Sequence, residues 1–477
     1  MLSRKPEPGG IREFLEIAIP LAVSNGTLSL MMVTDRIFLA RYSVDAFAAS
    51  LPSSILSWTL MSFWFGTIGY INVFVAQYHG AGRPASIGRS VWQGVFISFL
   101  GSLTFIPAIL GAQQFFEALD YPAPVVEQGT AYFQVLGLGA LPALINSALA
   151  CTYSGRGKTL PVLGVNLVAM IFNFVADYAL IFGHFGMPEY GVRGAALATI
   201  LASCISVVCW IIVLWSDTGI REFQFGAGLR FDGLLLGRIL WFGIPNGITM
   251  CLEAGMFNVF IALVGQLGRV ELAATNLAFT LSTLAFVPMV GFMIALETLV
   301  GRRIGEGRPD IAQKTTLNAA ALCSLYMSFW VGIFLLFPQV IVHVFQSADP
   351  EEFQGVEVVA VQLMRFVAAY TVFDGLQIIF GGAIRGAGDT RFSMIFWLGS
   401  ELFVLIIPTY VLLRYFGGGL FTAWTCITAW LIVMAVGFIA RFIQGKWKSM
   451  TVIEHAPPDD VSVLEPAAAA PQEIGTR

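Results

Sequence analysis

Charge is scarce in this chain: of its 477 residues, Asp, Glu, Lys and Arg together supply 12%, against 57% hydrophobic residues. Soluble domains carry about a quarter charged residues, so this composition excludes an ordinary water-soluble fold and points to a chain that lives in lipid. Histidine is rarer still. The four copies (His79, His184, His343 and His455) fall in expected loops or the tail, which excludes a histidine relay at membrane depth. Six cysteines (Cys151, Cys204, Cys209, Cys251, Cys323 and Cys426) lie inside apolar segments with no CxxC or Cys/His ligand spacing. That pattern argues against disulfides or a resident metal and for small core residues. No removable leader is recognisable at the polar start MLSRKPEPGGIREFLE, so the first helix is expected to be retained. Gly157-Lys158-Thr159 looks like the end of a phosphate-binding loop, but Thr152 stands where that pattern needs glycine and no strand precedes it. No nucleotide, organic cofactor or nucleic-acid partner is therefore expected, and the formal charge of -4 adds nothing to that question.

What the chain has in abundance is long apolar runs. A spanning helix needs roughly 20 apolar residues. Twelve segments meet that length, at 14–40, 46–78, 88–112, 124–150, 159–183, 191–216, 234–264, 271–302, 312–338, 355–384, 391–413 and 418–441. The expected fold is an all-α integral membrane protein. Placing the N-terminus inside puts 20 of the 26 Lys and Arg on that side, which predicts a multi-pass protein of the plasma (inner) membrane with both termini cytoplasmic. The Pro-, Ala- and acid-rich tail, 442–477, is expected to be disordered.

The chain also repeats itself. Ile19-Pro20 recurs as Ile244-Pro245, and Gly80-Ala81-Gly82-Arg83-Pro84 as Gly305-Glu306-Gly307-Arg308-Pro309, 225 residues on. The turn Ser154–Thr159 matches Arg385–Thr390 at an offset of 231, and Gly191–Thr199 resembles Gly417–Thr425 at 226. Six helices followed by six, each half starting on the same side, form a parallel repeat. This gives a cytoplasmic N-terminus at 1–13, an N-lobe at 14–216, a linker at 217–233 and a C-lobe at 234–441. Ligands favour the cleft between two such lobes.

Ionisable residues inside the spans are few, and each is a functional candidate by default. Asn173 and Asp177 stand four apart on the fifth helix, and so share a face; Tyr370 and Asp374 do the same on the tenth. Such pairs suit a desolvated Na⁺ or a proton, and a ring face adds attraction for an organic cation. Asp35 is another candidate, although Arg36 and Arg41 offer it structural partners; adjacent helical residues diverge by about 100°, which makes Arg36 a poor one. Glu253 and Asp374 have no cation nearby in sequence, but Arg365 lies within reach of Asp374. Glu297, near Arg302, reads as structural, and Glu401 is undecided.

These residues resemble the multidrug and toxic compound extrusion (MATE) transporters over about 12–445. The resemblance rests on VTDRIFLARYSVDAFAA, the GAGRP and GEGRP turns, NLVAMIFNFVADYALIFG with GVRGAALAT, GIPNGITMCLEAGMF and FDGLQIIFGGAIRGAGDTR. It implies two six-helix lobes and antiport without enzymatic chemistry. Entry of Na⁺ or H⁺ would drive export of amphipathic, often cationic, organic compounds by alternating access. It also implies an N-lobe cation site at Asp35, Asn173, Asp177 and Thr199, and a NorM-like C-lobe site at Glu253, Tyr370 and Asp374. The alternative is a flippase for lipid-linked oligosaccharides, which would need several basic residues in the cleft; the intramembrane charges here are mainly acidic. An intramembrane enzyme would need a catalytic constellation that the loop-placed histidines do not supply. Lipids are the surrounding partners, and the oligomeric state is left open.

Overall fold

A computed structural model describes residues 6–118, 122–217, 222, 223, 225, 229–343 and 350–454. It contains helices and no strand among the described residues. Twelve spans account for the bundle: eleven single ones and one bent pair. In chain order they are α1 Ile11–Tyr42, α2 Asp45–Gly80, α3 Pro84–Leu110, α4 Ala123–Leu138 with Ala140–Ser154, α5 Leu160–Phe182 and α6 Val192–Ser216. The second half adds α7 Gly233–Gly265, α8 Arg269–Gly305, α9 Pro309–Leu336, α10 Pro350–Ala387, α11 Thr390–Tyr415 and α12 Leu420–Gln444. The helix count and the all-α class expected from the apolar runs therefore stand. Several helices run a few residues past their apolar runs; Pro84 and Pro309 open α3 and α9, where proline's missing N–H is not needed.

Two spans depart from regular helix for a local reason. The 43° bend in α4 falls between Leu138 and Ala140. Pro142 follows, and it has no N–H to give the carbonyl of Leu138. α11 widens into a π-helical turn at Glu401–Ile406, just before Pro408, a break of the kind that gathers at functional sites.

Each half packs in the same pattern. In the N-lobe α1 lies on α5, α5 on α6, and α2 and α3 on α4; in the C-lobe α7 lies on α11, and α8 and α9 on α10. The lobes meet along α1–α8 and α2–α7, two seams that the repeat exchanges. The seams are symmetric down to single residues. A Cβ on Gly80 would stand 2.1 Å from the Arg302 carbonyl oxygen, and one on Gly305 would stand 2.1 Å from that of Gln77. Both Gly80 and Gln77 reach their partners' counterparts at the offset of 225. Higher up, Gly66 against Gly247 mirrors Gly291 against Ala22 in the same way. Glycine is needed here because backbone meets backbone.

Polar bonds reinforce the seams at the bundle face that carries both chain ends. Asn72 Nδ2 donates to Thr298 Oγ1 (2.9 Å), Tyr70 Oη to the Arg385 carbonyl (2.7 Å), and Arg303 pairs with Glu13. Among the described residues no such bond crosses between lobes beyond Thr59 on α2 and Cys251 on α7. Above that level polar side chains such as Asn258, Thr280 and Thr283 lie exposed on α7 and α8, as where two lobes part.

The tail departs from its expectation. Residues 442–444 complete α12, and 445–454 are folded back across the end face instead of disordered. Trp447 is buried and stacks on Phe442 at 4.9 Å. Gln77 Oε1 accepts from the Val452 amide (2.9 Å) and the Thr451 hydroxyl (2.9 Å). Glu454 joins the lobes, taking bonds from Arg238 Nη1 (2.6 Å) and Tyr78 Oη (2.9 Å) and lying 3.4 Å from Arg83. One tryptophan and a Val-Ile pair are a faint signal in a polar tail, and what holds them, Phe442, Gln77 and the Arg238–Tyr78–Arg83 group, comes from the folded end face. The rest of the tail, 455–477, lies outside the described residues, as do 218–221, 224 and 226–228 of the expected linker.

Candidate functional site

Four of the expected site residues come together in the N-lobe. Gly194 brings α6 so close to α5 that a Cβ there would stand 2.4 Å from the Leu180 carbonyl oxygen, and this sets Thr199 facing α1. Thr199 Oγ1 shares its hydrogen between Asp35 Oδ2 (3.4 Å) and the Ala195 carbonyl (3.2 Å). Asn173, oriented by the acceptors around it, donates from Nδ2 to Asp35 Oδ1 (3.0 Å) and to Asp177 Oδ2 (3.1 Å). Asn173 thus bridges the two carboxyl groups, which interact directly with one another through their charges. Asn173 and Asp177 are fully buried, Asp35 is buried, and Asp177 Oδ1 has no partner at all. Arg36 is exposed and acts on Asp35 only through its charge, and no basic side chain forms a salt bridge with either acid among the described residues. Rings of Phe38, Phe174, Tyr178 and Phe182 gather beside the cluster, with centroids 5.4–6.3 Å from that of Phe38.

The C-lobe candidates are spread out instead. Asp374 Oδ1 accepts from Gln377 Nε2 (3.2 Å), and Tyr370 turns its hydroxyl to Ser282 Oγ (3.3 Å) rather than to Asp374. Glu253, at mid-depth on α7, is exposed at the level where the lobes part, and it interacts electrostatically with Asp374. Arg365 is exposed and unpaired with Asp374 among the described residues. Glu297 is structural: Arg385 Nε lies 2.9 Å from its Oε1, tying α10 to α8 beneath the seam. His79 belongs to the last turn of α2, so it lies in a helix rather than in the expected loop.

A family model described as MatE matches residues 20–179 and 245–411, one block in each lobe and together well over half the chain. The chain belongs to the MATE family of membrane transporters. Among its relatives, the probable multidrug resistance protein NorM of Brucella suis is 26% identical over 438 residues, covering 91% of this chain and 92% of that protein. The multidrug resistance protein MdtK of Cronobacter sakazakii is 27% identical over 402 residues, covering 83% and 86%. The crystal structure of the eukaryotic MATE transporter AtDTX14 superposes with a TM-score of 0.82 at 18% identity, over 92% of this chain and 96% of that one. A MATE family transporter of the MOP superfamily in an outward-facing conformation gives 0.82 at 18%, over 93% and 97%. At such identities the structures share the fold.

One acid that the sequence left undecided stands out in this MATE transporter. Glu401 begins the π-helical turn of α11; it is buried, and its Oε2 lacks a partner. Nothing within a helical turn of it in sequence is polar enough to have marked it beyond Ser400, and only the approach of α7 brings it near Glu253.

Proposed function

We propose that this transporter is a secondary antiporter that exports amphipathic, cationic organic compounds in exchange for Na⁺ or H⁺, with the N-lobe cluster as the coupling site. The observation that carries this reading is the pair of carboxyls, Asp35 and Asp177, buried without a salt-bridge partner and bridged by Asn173. Two carboxylates held on one amide and away from water cannot both stay charged and bare; a shared proton or a cation between them relieves the repulsion. The donor set fits either ion. Asn173 presents its N–H₂ to the bare or protonated pair, and rotation about the amide offers its oxygen instead, joining Asp35, Asp177 and Thr199 as oxygen ligands for Na⁺.

The names of the relatives support efflux of drug-like compounds, and the basic residues gathered at the end face support a cytoplasmic location for both termini in the inner membrane. With the seams closed at that face and the lobes parted at the other, the cleft opens to the outside. Exposed Glu253 then meets a cationic compound in the cleft, and ion binding in the N-lobe biases the lobes toward the alternative arrangement. The test is dye counterflow in proteoliposomes under an imposed Na⁺ gradient or pH gradient. Dye movement under one gradient, lost in Asp35→Asn with folded protein, is expected. Movement that is unchanged in Asp35→Asn and Asp374→Asn together would overturn the reading.

A further inference from the structure

The repeat relates the two lobes in sequence, and it points to a residue that the resemblance leaves out. The offset between the halves is 231 at the turn that opens α5 and α11, and 226 just beyond their far ends. Carried back by these two offsets, Glu401 falls between residues 170 and 175, a stretch that contains Asn173. Both helices pack the same way: α5 lies on α1, and α11 on α7. Glu401 therefore stands at the level on α11 where the N-lobe holds the residue bridging its two acids.

Its surroundings suit a bound cation. Glu401 is 2% exposed and its Oε2 has no hydrogen-bond partner, so an ionised carboxylate there is short of a donor. α7 brings Glu253, with which Glu401 interacts electrostatically. α12 packs on the same turn, where Trp430 and Met434 meet Ser400, and carries no charged residue before Arg441. The π-helical turn turns one extra residue into the helix at this point, which re-aims the side chain relative to a regular helix.

We infer that Glu401 is a monovalent-cation-binding carboxylate of the C-lobe, taking H⁺ or Na⁺ behind Glu253. This rests on the antiport reading for its role in transport, though not for the binding itself. The consequence is linkage inside one lobe. An organic cation on Glu253 neutralises the charge that repels Glu401, and so alters the hold of Glu401 on its ion; the reverse holds equally.

The test is infrared difference spectroscopy on the full-length purified protein, in one arm between low and high pH and in the other between K⁺ and Na⁺ at fixed pH. Wild type, Glu401→Gln and Glu401→Asp are compared, alongside dye counterflow. A carboxyl band that responds in one arm, vanishes in Glu401→Gln and persists displaced in Glu401→Asp is the expected result, and the responding arm names the ion. Ion-driven dye movement should then fall at least about tenfold in Glu401→Gln, and equilibrium dye binding should lose its dependence on the responding ion. Spectra of wild type and Glu401→Gln that superimpose in both arms overturn the inference, as does a wild type with no responding carboxyl. Should Glu401→Gln fail to fold, a Glu401→Asp band that does not move overturns it too. If the band behaves as expected but wild type moves no dye under either gradient, the site stands and the antiport reading falls.

Discussion

The two lobes share one backbone plan and differ in how they hold their acids. In the N-lobe, α1 and α5 press Asp35 and Asp177 together around Asn173, sealed from solvent. In the C-lobe, Glu253, Asp374 and Glu401 sit on three helices, and no hydrogen bond joins any two of them among the described residues. The repeat does not exchange most of them. At an offset of 225, Asp35 maps to Phe260, while Glu253 maps to Leu28, about two turns nearer the end face. Duplication thus conserved the seams and let the polar sites diverge. A closed pair of acids suits a small desolvated ion, and separated acids beside an open cleft suit a bulky cation.

The largest expected effect tests that division. Asp177→Asn should cut ion-driven dye transport by at least about tenfold while leaving the dye's KM within about twofold, and Glu253→Gln should raise the KM for a cationic dye about tenfold with a smaller loss of maximal rate. Initial rates in proteoliposomes decide it. The opposite pattern would exchange the roles of the lobes.

The seams should instead respond alike, because the repeat relates them. Gly80→Ala and Gly305→Ala each place a Cβ 2.1 Å from a carbonyl oxygen of the other lobe, so each should pry the end face apart. Labelling of a cysteine introduced at buried Thr298 should rise several-fold in both variants. A rise in only one of them would show that the symmetric contacts are unequal in strength.

The smallest effect marks where the repeats differ by one acid. Ala81 in the N-lobe turn is replaced by Glu306 in the C-lobe turn. Burial pushes the Glu306 carboxyl up, but hydrogen bonds and charge from Arg303 and Arg302 outweigh it and hold it below a glutamate's ordinary value. A lowered value in the folded state means that its stabilising contribution is present above that range and is lost as the pH falls through it, below about 4. The contribution is under about 1 kcal/mol for a partly exposed group. Thermal unfolding in detergent should therefore lose slightly less stability between pH 6 and roughly pH 3 in Glu306→Gln than in wild type. Equal losses would mean that the arginines leave this carboxyl unperturbed.

Much of the architecture was legible in the sequence because a bilayer allows few choices. A chain 57% hydrophobic must satisfy its backbone within helices, so the apolar runs translate directly into twelve spans, and recurring Gly-Arg-Pro turns expose the duplication. Polar residues at membrane depth are costly enough that Asp35, Asn173, Asp177, Glu253 and Asp374 stood out singly. Which of them touch was decided only by tertiary packing. Asp35 and Asp177 are 142 residues apart and meet because α5 packs on α1, while Gly194 lets α6 close on α5 and bring Thr199 to them. The same holds for Tyr370 turning to Ser282, for Glu297 pairing with Arg385, and for the Trp447–Glu454 segment folding onto Gln77. Sequence spacing fixes neighbours along one helix, whereas contacts between helices depend on how closely backbones approach, and in this protein glycine positions set that distance.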